Sequence, residues 1–163
     1  IQSTDVRGSF VKTFNTESFK DLNINLEIAE SYYSVSKYNT IRGMHFQIPP
    51  FDNTKIVYVS KGSIVDVVLD LRLNSPTYGE HIIKSLDSNN ANMILIPPGF
   101  AHGFLSNTDG TIVNYLQSSV YKYEYDHGIR YDSFGFDWKV ENPIISKRDL
   151  EFKLFINFKT PFI

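Results

Sequence analysis

Short runs rich in Val, Ile, Tyr and Phe, each closed by a turn signal, constrain this chain more than any other feature. Residues 56–60 form one such run, and Lys61-Gly62 reads as the tight turn that ends it. Residues 63–71 follow, with Ile64, Val65, Val67, Val68 and Leu69 apolar. Met93–Ile96 is closed by Pro97-Pro98-Gly99, and residues 111–116 follow Asp109-Gly110. β-Branched and aromatic side chains fit a pleated, half-buried surface. Short strands at this spacing predict an all-β sandwich or barrel. The 13 Phe, 10 Tyr and 1 Trp point the same way, because flat rings serve strands and stacking pockets better than helices.

Helix signals are thin. Residues 16–22 predict one short helix capped by Asn15 or Thr16, and residues 146–150 another. No internal repeat, low-complexity stretch or linker divides the chain. Residues 1–163 are therefore read as a single domain, long enough for one full core. The expected fold is all-β, a double-sheet jelly-roll barrel with a few short helices.

The net charge is −2 and the Lys and Arg residues are scattered among acids, which argues against a nucleic-acid partner. A local pocket can still be basic. The absence of Cys excludes a disulfide scaffold and thiolate chemistry, and agrees with the expected cytoplasmic location. No apolar run approaches the roughly 20 residues that cross a bilayer, so no membrane partner is expected. Residues 1–8 lack a signal-peptide pattern. The sequence starts at Ile1 rather than Met, consistent with a natural N-terminus further upstream.

Two histidines lie beside strand and turn signals. His45 sits in Ile41-Arg42-Gly43-Met44-His45-Phe46-Gln47, and His102 in Pro97-Pro98-Gly99-Phe100-Ala101-His102-Gly103-Phe104. The second segment fits the Pro-x-Gly-x-x-His pattern of the second cupin motif. A metal-binding cupin carries His-x-His and a downstream Glu in its first motif, whereas His45 is followed by Phe46 and Gln47. Two imidazoles without a nearby carboxylate make a poor first-row metal site, so no metal is expected. The histidines read as acid–base groups, or as core histidines satisfied by backbone.

Several motifs then occur in order. Asp5-x-Arg7-Gly8-x-Phe10 opens the chain, and Ser34-x-Ser36 precedes the His45 segment. Lys55 follows. Gly62-x-Ile64-x-Asp66-Val67 and Asp70-x-Arg72-x-x-Ser75-Pro76-Thr77-Tyr78-Gly79 come next, then the His102 segment and Tyr115. Tyr121, Asp126, Gly128 and Ile129 form a further group, and Ser146-x-x-Asp149 closes the series. This set resembles the dTDP-4-dehydrorhamnose 3,5-epimerase family of cupin-type sugar-nucleotide epimerases.

That resemblance implies a nucleoside-diphosphate 4-keto-6-deoxyhexose as substrate, with dTDP the nucleotide it points to. The ketone acidifies the C3 and C5 hydrogens, so the reaction needs a base, an acid on the other face and charge for the enolate. It implies His45 as base, Asp149 as the carboxylate that holds it, Tyr115 as acid and Lys55 beside the enolate oxygen. Without the motif, Lys55 reads as a solvated surface lysine beside the turn at 51–54, and Tyr115 as one of many packing tyrosines. Arg7, Arg42 and a basic residue from Lys147 or Arg148 become phosphate ligands, with ordinary salt bridges as the rival role. Phe10 and Tyr121 become flanking rings for the base. Glu30, Gln47, Asp66 and His102 would line the pocket, the last two alternatively as a buried network under His45. His81 and His127 read as non-catalytic, the latter in a loop. No cofactor is implied, since the substrate's ketone is the electron sink. A homodimer is implied, with an N-terminal strand exchanged between partners, in deoxysugar supply for a surface polysaccharide.

The chain departs from the family in one stretch. Members commonly carry Gln-x-Asn-x-Ser-x-Ser, where this sequence reads Glu30-Ser31-Tyr32-Tyr33-Ser34-Val35-Ser36. Strand alternation turns Glu30 and Tyr32 toward the pocket, with Arg42 the expected partner of Glu30. Three rival readings follow. One is an epimerase or isomerase acting at a single centre, another is an enzyme for a CDP- or GDP-linked keto sugar, and the third is a non-catalytic binding cupin. Retention of His45, Lys55, Tyr115 and Asp149 together argues against the last.

Overall fold

The computed structural model describes residues 2–163. Two sheets carry the fold. The first runs in the order β3 (Glu30–Ser36), β10 (Thr111–Gln117), β5 (Lys55–Lys61), β8 (Met93–Ile96). The second runs β11 (Asp126–Gly128), β4 (Ile41–Gln47), β9 (Phe100–Ser106), β6 (Ser63–Asp70), β7 (His81–Asp87). All strand pairs within them are antiparallel. They face each other as the expected double-sheet jelly roll. A separate hairpin, β1 (Gln2–Asp5) with β2 (Gly8–Val11), stands apart and is exposed along nearly its whole length.

Strand alternation divides the apolar residues between two cores. Val57, Val59 and Val113 of the first sheet meet Ile64, Val68 and Phe104 of the second in the space between them. The opposite face of the second sheet presents Ile41, Met44, Phe46, Val67, Leu69 and Leu105. There the C-terminal segment lays Phe134, Trp138 and Phe162 across it. Trp138 meets its one polar need by donating Nε1–H to the Tyr131 carbonyl at 2.9 Å. The second sheet is thus covered on both faces, which explains the near-continuous apolar run in β6.

Two short helices form where the caps predict them. α1 (Thr16–Asp21) starts at Asn15, whose side chain accepts from the Ser18 N–H. α2 (Lys147–Leu150) starts at Ser146, whose hydroxyl accepts from the Asp149 N–H. The motif around Asp70 is a turn clasp. Its carboxylate accepts from Arg72, Ser75 and Thr77 and fixes the connection out of β6. The segment holding His127, expected as a loop, is the short strand β11 paired to β4. Its three residues are too few to leave a period in the sequence.

Gly43 sets the approach of β4 to β9. Its φ is +127°, and a Cβ there would sit 2.5 Å from the Gly103 Cα and 2.8 Å from the His102 carbonyl oxygen. Only glycine permits both the conformation and the contact. The register between β4 and β9 shifts over this stretch, between Arg42 and His45, and His45 then pairs with His102. Among the described residues, no helix is long and apolar enough to cross a membrane.

Candidate active site

Alternation sends one set of side chains from each sheet into the barrel. Tyr32 and Ser34 of β3, Lys55 of β5 and Tyr115 of β10 come from the first sheet. Arg42 and His45 of β4 and His102 and Phe104 of β9 come from the second. Together they line an inner recess of about 150 Å³. It opens into an outer cleft of about 330 Å³ that shares Tyr32, His45 and Lys55 and adds Glu30, Gln47, Tyr121, Asp126 and Arg148.

His45 Nε2 lies 2.9 Å from Asp149 Oδ1. The other carboxylate oxygen accepts from the Gly43 N–H at 3.1 Å. Burial by itself would raise the Asp149 carboxyl. The hydrogen bond and charge of His45, with Gly43 and Ser146, outweigh it and hold the group below its ordinary value. An ionised Asp149 fixes the tautomer: Nε2 carries the proton and Nδ1 is left as the free basic nitrogen. The imidazole side chain is 32% exposed, so a ligand in the cleft can reach it. Phe152 packs edge-on at 5.6 Å and limits its rotation.

Lys55 is buried, against the reading of a solvated surface residue. The register of β5 between β10 and β8 turns it inward. Burial brings its ammonium down to about 8, partly offset by the carboxylates of Asp126 and Asp66. Burial likewise pushes the Tyr115 phenol well above its ordinary value, and neighbouring Tyr32 adds to the effect. Tyr115 is therefore a neutral phenol at working pH and holds a proton to give. His102 packs edge-on to it, centroids 6.2 Å apart. His102 is buried and bonded through Nε2 to Asp66 Oδ2 at 2.6 Å, a pair in the recess wall that lies beside Tyr115 and across the strand register from His45.

Both departures from the family pattern face the cleft as alternation predicts. Glu30 does not pair with Arg42; its carboxylate accepts the Tyr121 backbone N–H at 2.6 Å. Arg42 donates instead to the Ser36 hydroxyl at 3.0 Å and the Val35 carbonyl at 3.1 Å. Gln47 bridges the loops beside it. It accepts from the Lys122 N–H at 2.6 Å and donates to the Phe51 carbonyl at 2.8 Å.

Of the basic pair in α2, Arg148 reaches the cleft, where it pairs with Asp126 and lies over the Phe152 ring. Lys147 points to solvent and pairs loosely with Glu151 at 3.8 Å, because adjacent helical positions face different directions. Arg7 and Phe10 are not brought to the cleft of their own chain. Both lie on the exposed hairpin, where Arg7 is bound to Asp5 at 2.6 Å. Sequence reasoning left Asp126, Gln117 and Asn53, among others, out of the site. Asp126 carried a motif signal, and Gln117 sits two positions beyond Tyr115 on the same strand face. Asn53 lies in a turn with no period to reveal it. Among the described residues, no cluster of three or more His, Asp or Glu side chains is placed to hold a metal ion.

A jelly roll with an imidazole–carboxylate pair, a buried phenol and a buried amine opening into one cleft defines a cupin-type sugar isomerase. Comparison with known proteins agrees. The family model described as dTDP-4-dehydrorhamnose 3,5-epimerase matches residues 2–157, and the chain belongs to this family. A relative of that name from Methanothermobacter thermautotrophicus is 41% identical over 155 residues, covering 92% of this chain and 83% of its own. The Bacillus anthracis 3,5-epimerase, solved with TDP and pyrophosphate bound, superposes with a TM-score of 0.92 at 34% identity, covering 94% and 90% of the two chains. The Legionella pneumophila enzyme, solved with dTDP-4-keto-L-rhamnose, gives 0.92 at 29% identity over 98% and 86%.

Proposed function

We propose that this protein epimerises a dTDP-linked 4-keto-6-deoxyhexose at C3 and C5. The observation that carries the reading is the shared recess, into which opposite sheets send His45, backed by Asp149, and Tyr115. A base and an acid approaching from two sheets suit removal of a proton from one ring face and its return to the other. His45 Nδ1 takes the C–H proton, and the electron pair moves onto the C4 oxygen as the enolate. Lys55 meets that oxygen with its charge. Tyr115 then delivers its proton to the opposite face of the carbon, inverting it. Arg148 and Arg42 serve the diphosphate, with Arg148 exchanging Asp126 for phosphate oxygens. Tyr121 supplies a stacking surface for the nucleotide base.

Incubation of a dTDP-4-keto-6-deoxyhexose in heavy water is expected to place deuterium at C3 and at C5. Incorporation at one carbon alone would reject the two-centre assignment. None at either would leave a binding protein.

The reading extends to a cytoplasmic homodimer that supplies deoxysugar for a surface polysaccharide. The solvent-facing hairpin supports the dimer, since Arg7 and Phe10 have no place in their own cleft and suit a partner's. Sedimentation should give a dimer of the 18.8 kDa chain, and removal of residues 2–11 should weaken substrate binding. A monomer with full affinity would reject this arrangement.

A further inference from the structure

We infer that Tyr32 is a positioning residue for the acid Tyr115, and that its stacked ring sets how often a deprotonated substrate is inverted rather than returned. The inference rests on the epimerase reading and deepens it. Tyr32 and Tyr115 are direct cross-strand partners on β3 and β10. Their rings stack with centroids 4.7 Å apart and 17° between planes. The Tyr115 phenol reaches the neighbouring Ser34 hydroxyl, a single-point contact that does not set the plane of the ring. Its ring orientation therefore depends on packing, between Tyr32 on its face and His102 at its edge.

Tyr32 is itself pinned at both ends. Its backbone lies in β3, and its phenol oxygen accepts from Gln117 Nε2. Gln117 is held in turn, its Oε1 accepting from Asn53 Nδ2 at 2.6 Å inside the protein. A buried amide chain thus fixes one ring, and that ring fixes the acid. The small amide common at this position in the family offers far less planar surface to stack than a phenol ring. A general acid displaced by an ångström loses proton-transfer efficiency, while a base on another sheet does not.

The two rates separate in heavy water. Solvent exchange without inversion reports His45 returning a deuteron to the face it opened. Inversion reports Tyr115. Tyr32→Asn is expected to lower the inversion kcat about tenfold or more, leave exchange within about twofold, and leave KM nearly unchanged. Tyr32→Phe keeps the stack but loses the bond from Gln117, so its inversion rate should fall between wild type and Tyr32→Asn. Tyr32→Leu keeps bulk without a flat face and should behave like Tyr32→Asn, which preserves the test if the Asn variant does not fold. A change in KM alone would make Tyr32 a substrate contact and overturn the inference. An equal fall of exchange and inversion would overturn it too, as would a Phe variant as impaired as the Asn variant. A wild-type protein without exchange or inversion would instead overturn the epimerase reading itself.

Discussion

Replacing His45 by Ala is expected to lower epimerisation by about 10²–10⁴-fold, the range measured for loss of a positioned base. Exchange and inversion should fall together, because no carbanion forms without the base. This distinguishes His45 from Tyr115, whose loss should spare exchange. The reason lies in the dyad. Nε2–H donates to Asp149, so Nδ1 is left free as the base, and no second imidazole can replace it. His102 is buried and already committed to Asp66. Proton NMR in heavy water follows both rates in one tube, and wild-type turnover in the variant would remove His45 from the mechanism.

The second large effect has two parts of opposite sign. Lys55→Met is expected to cost about 10²–10³-fold in turnover, the scale of one lost enolate-stabilising group. It should also make the fold more stable at neutral pH. Burial brings the Lys55 ammonium from 10.5 down to about 8. Between those values the unfolded chain binds the proton and the folded chain releases it, so stability rises with pH across the window. At neutral pH the buried charge opposes folding by up to about 3 kcal/mol. Its removal should raise the melting temperature by several degrees, at roughly 2–4 °C per kcal/mol for a chain of this size. Wild-type activity should decline as pH passes upward through about 8, as Lys55 loses its charge. Chemical denaturation beside a turnover assay checks both parts, and an unchanged rate would make Lys55 a packing residue. Such opposition is usual where a site needs a group that the fold does not.

How much was legible depends on the kind of signal each element left. β5, β6, β8 and β10 announce themselves through β-branched runs and the turns that close them. β4 and β9 came to notice through His45 and His102 rather than through their strand pattern. β3 mixes polar and aromatic residues on both faces, Glu30, Tyr32 and Ser34 inside and Ser31, Tyr33 and Val35 outside, so no apolar period marks it. α1 and α2 were readable because a cap is a local hydrogen bond between residues three apart. The pairing of His45 with Asp149, the choice of Arg148 over Lys147 and the anchoring of Glu30 by the Tyr121 backbone join residues distant in the chain, and propensity carries nothing about them.

The sequence by itself determined the all-β architecture, the two caps and, through ordered motifs, the family and the residue types of the site. Strand alternation also decided in advance which side chains turn inward, since that period is a property of the extended backbone. Tertiary structure alone decided the rest: that Lys55 is desolvated, that Tyr115 is clamped between Tyr32 and His102, and that Arg7 and Phe10 stand away from their own cleft. The physical reason is that burial, ring stacking and charge pairing arise only when two sheets close on each other, and the register that closes them is set by contacts far apart in the chain.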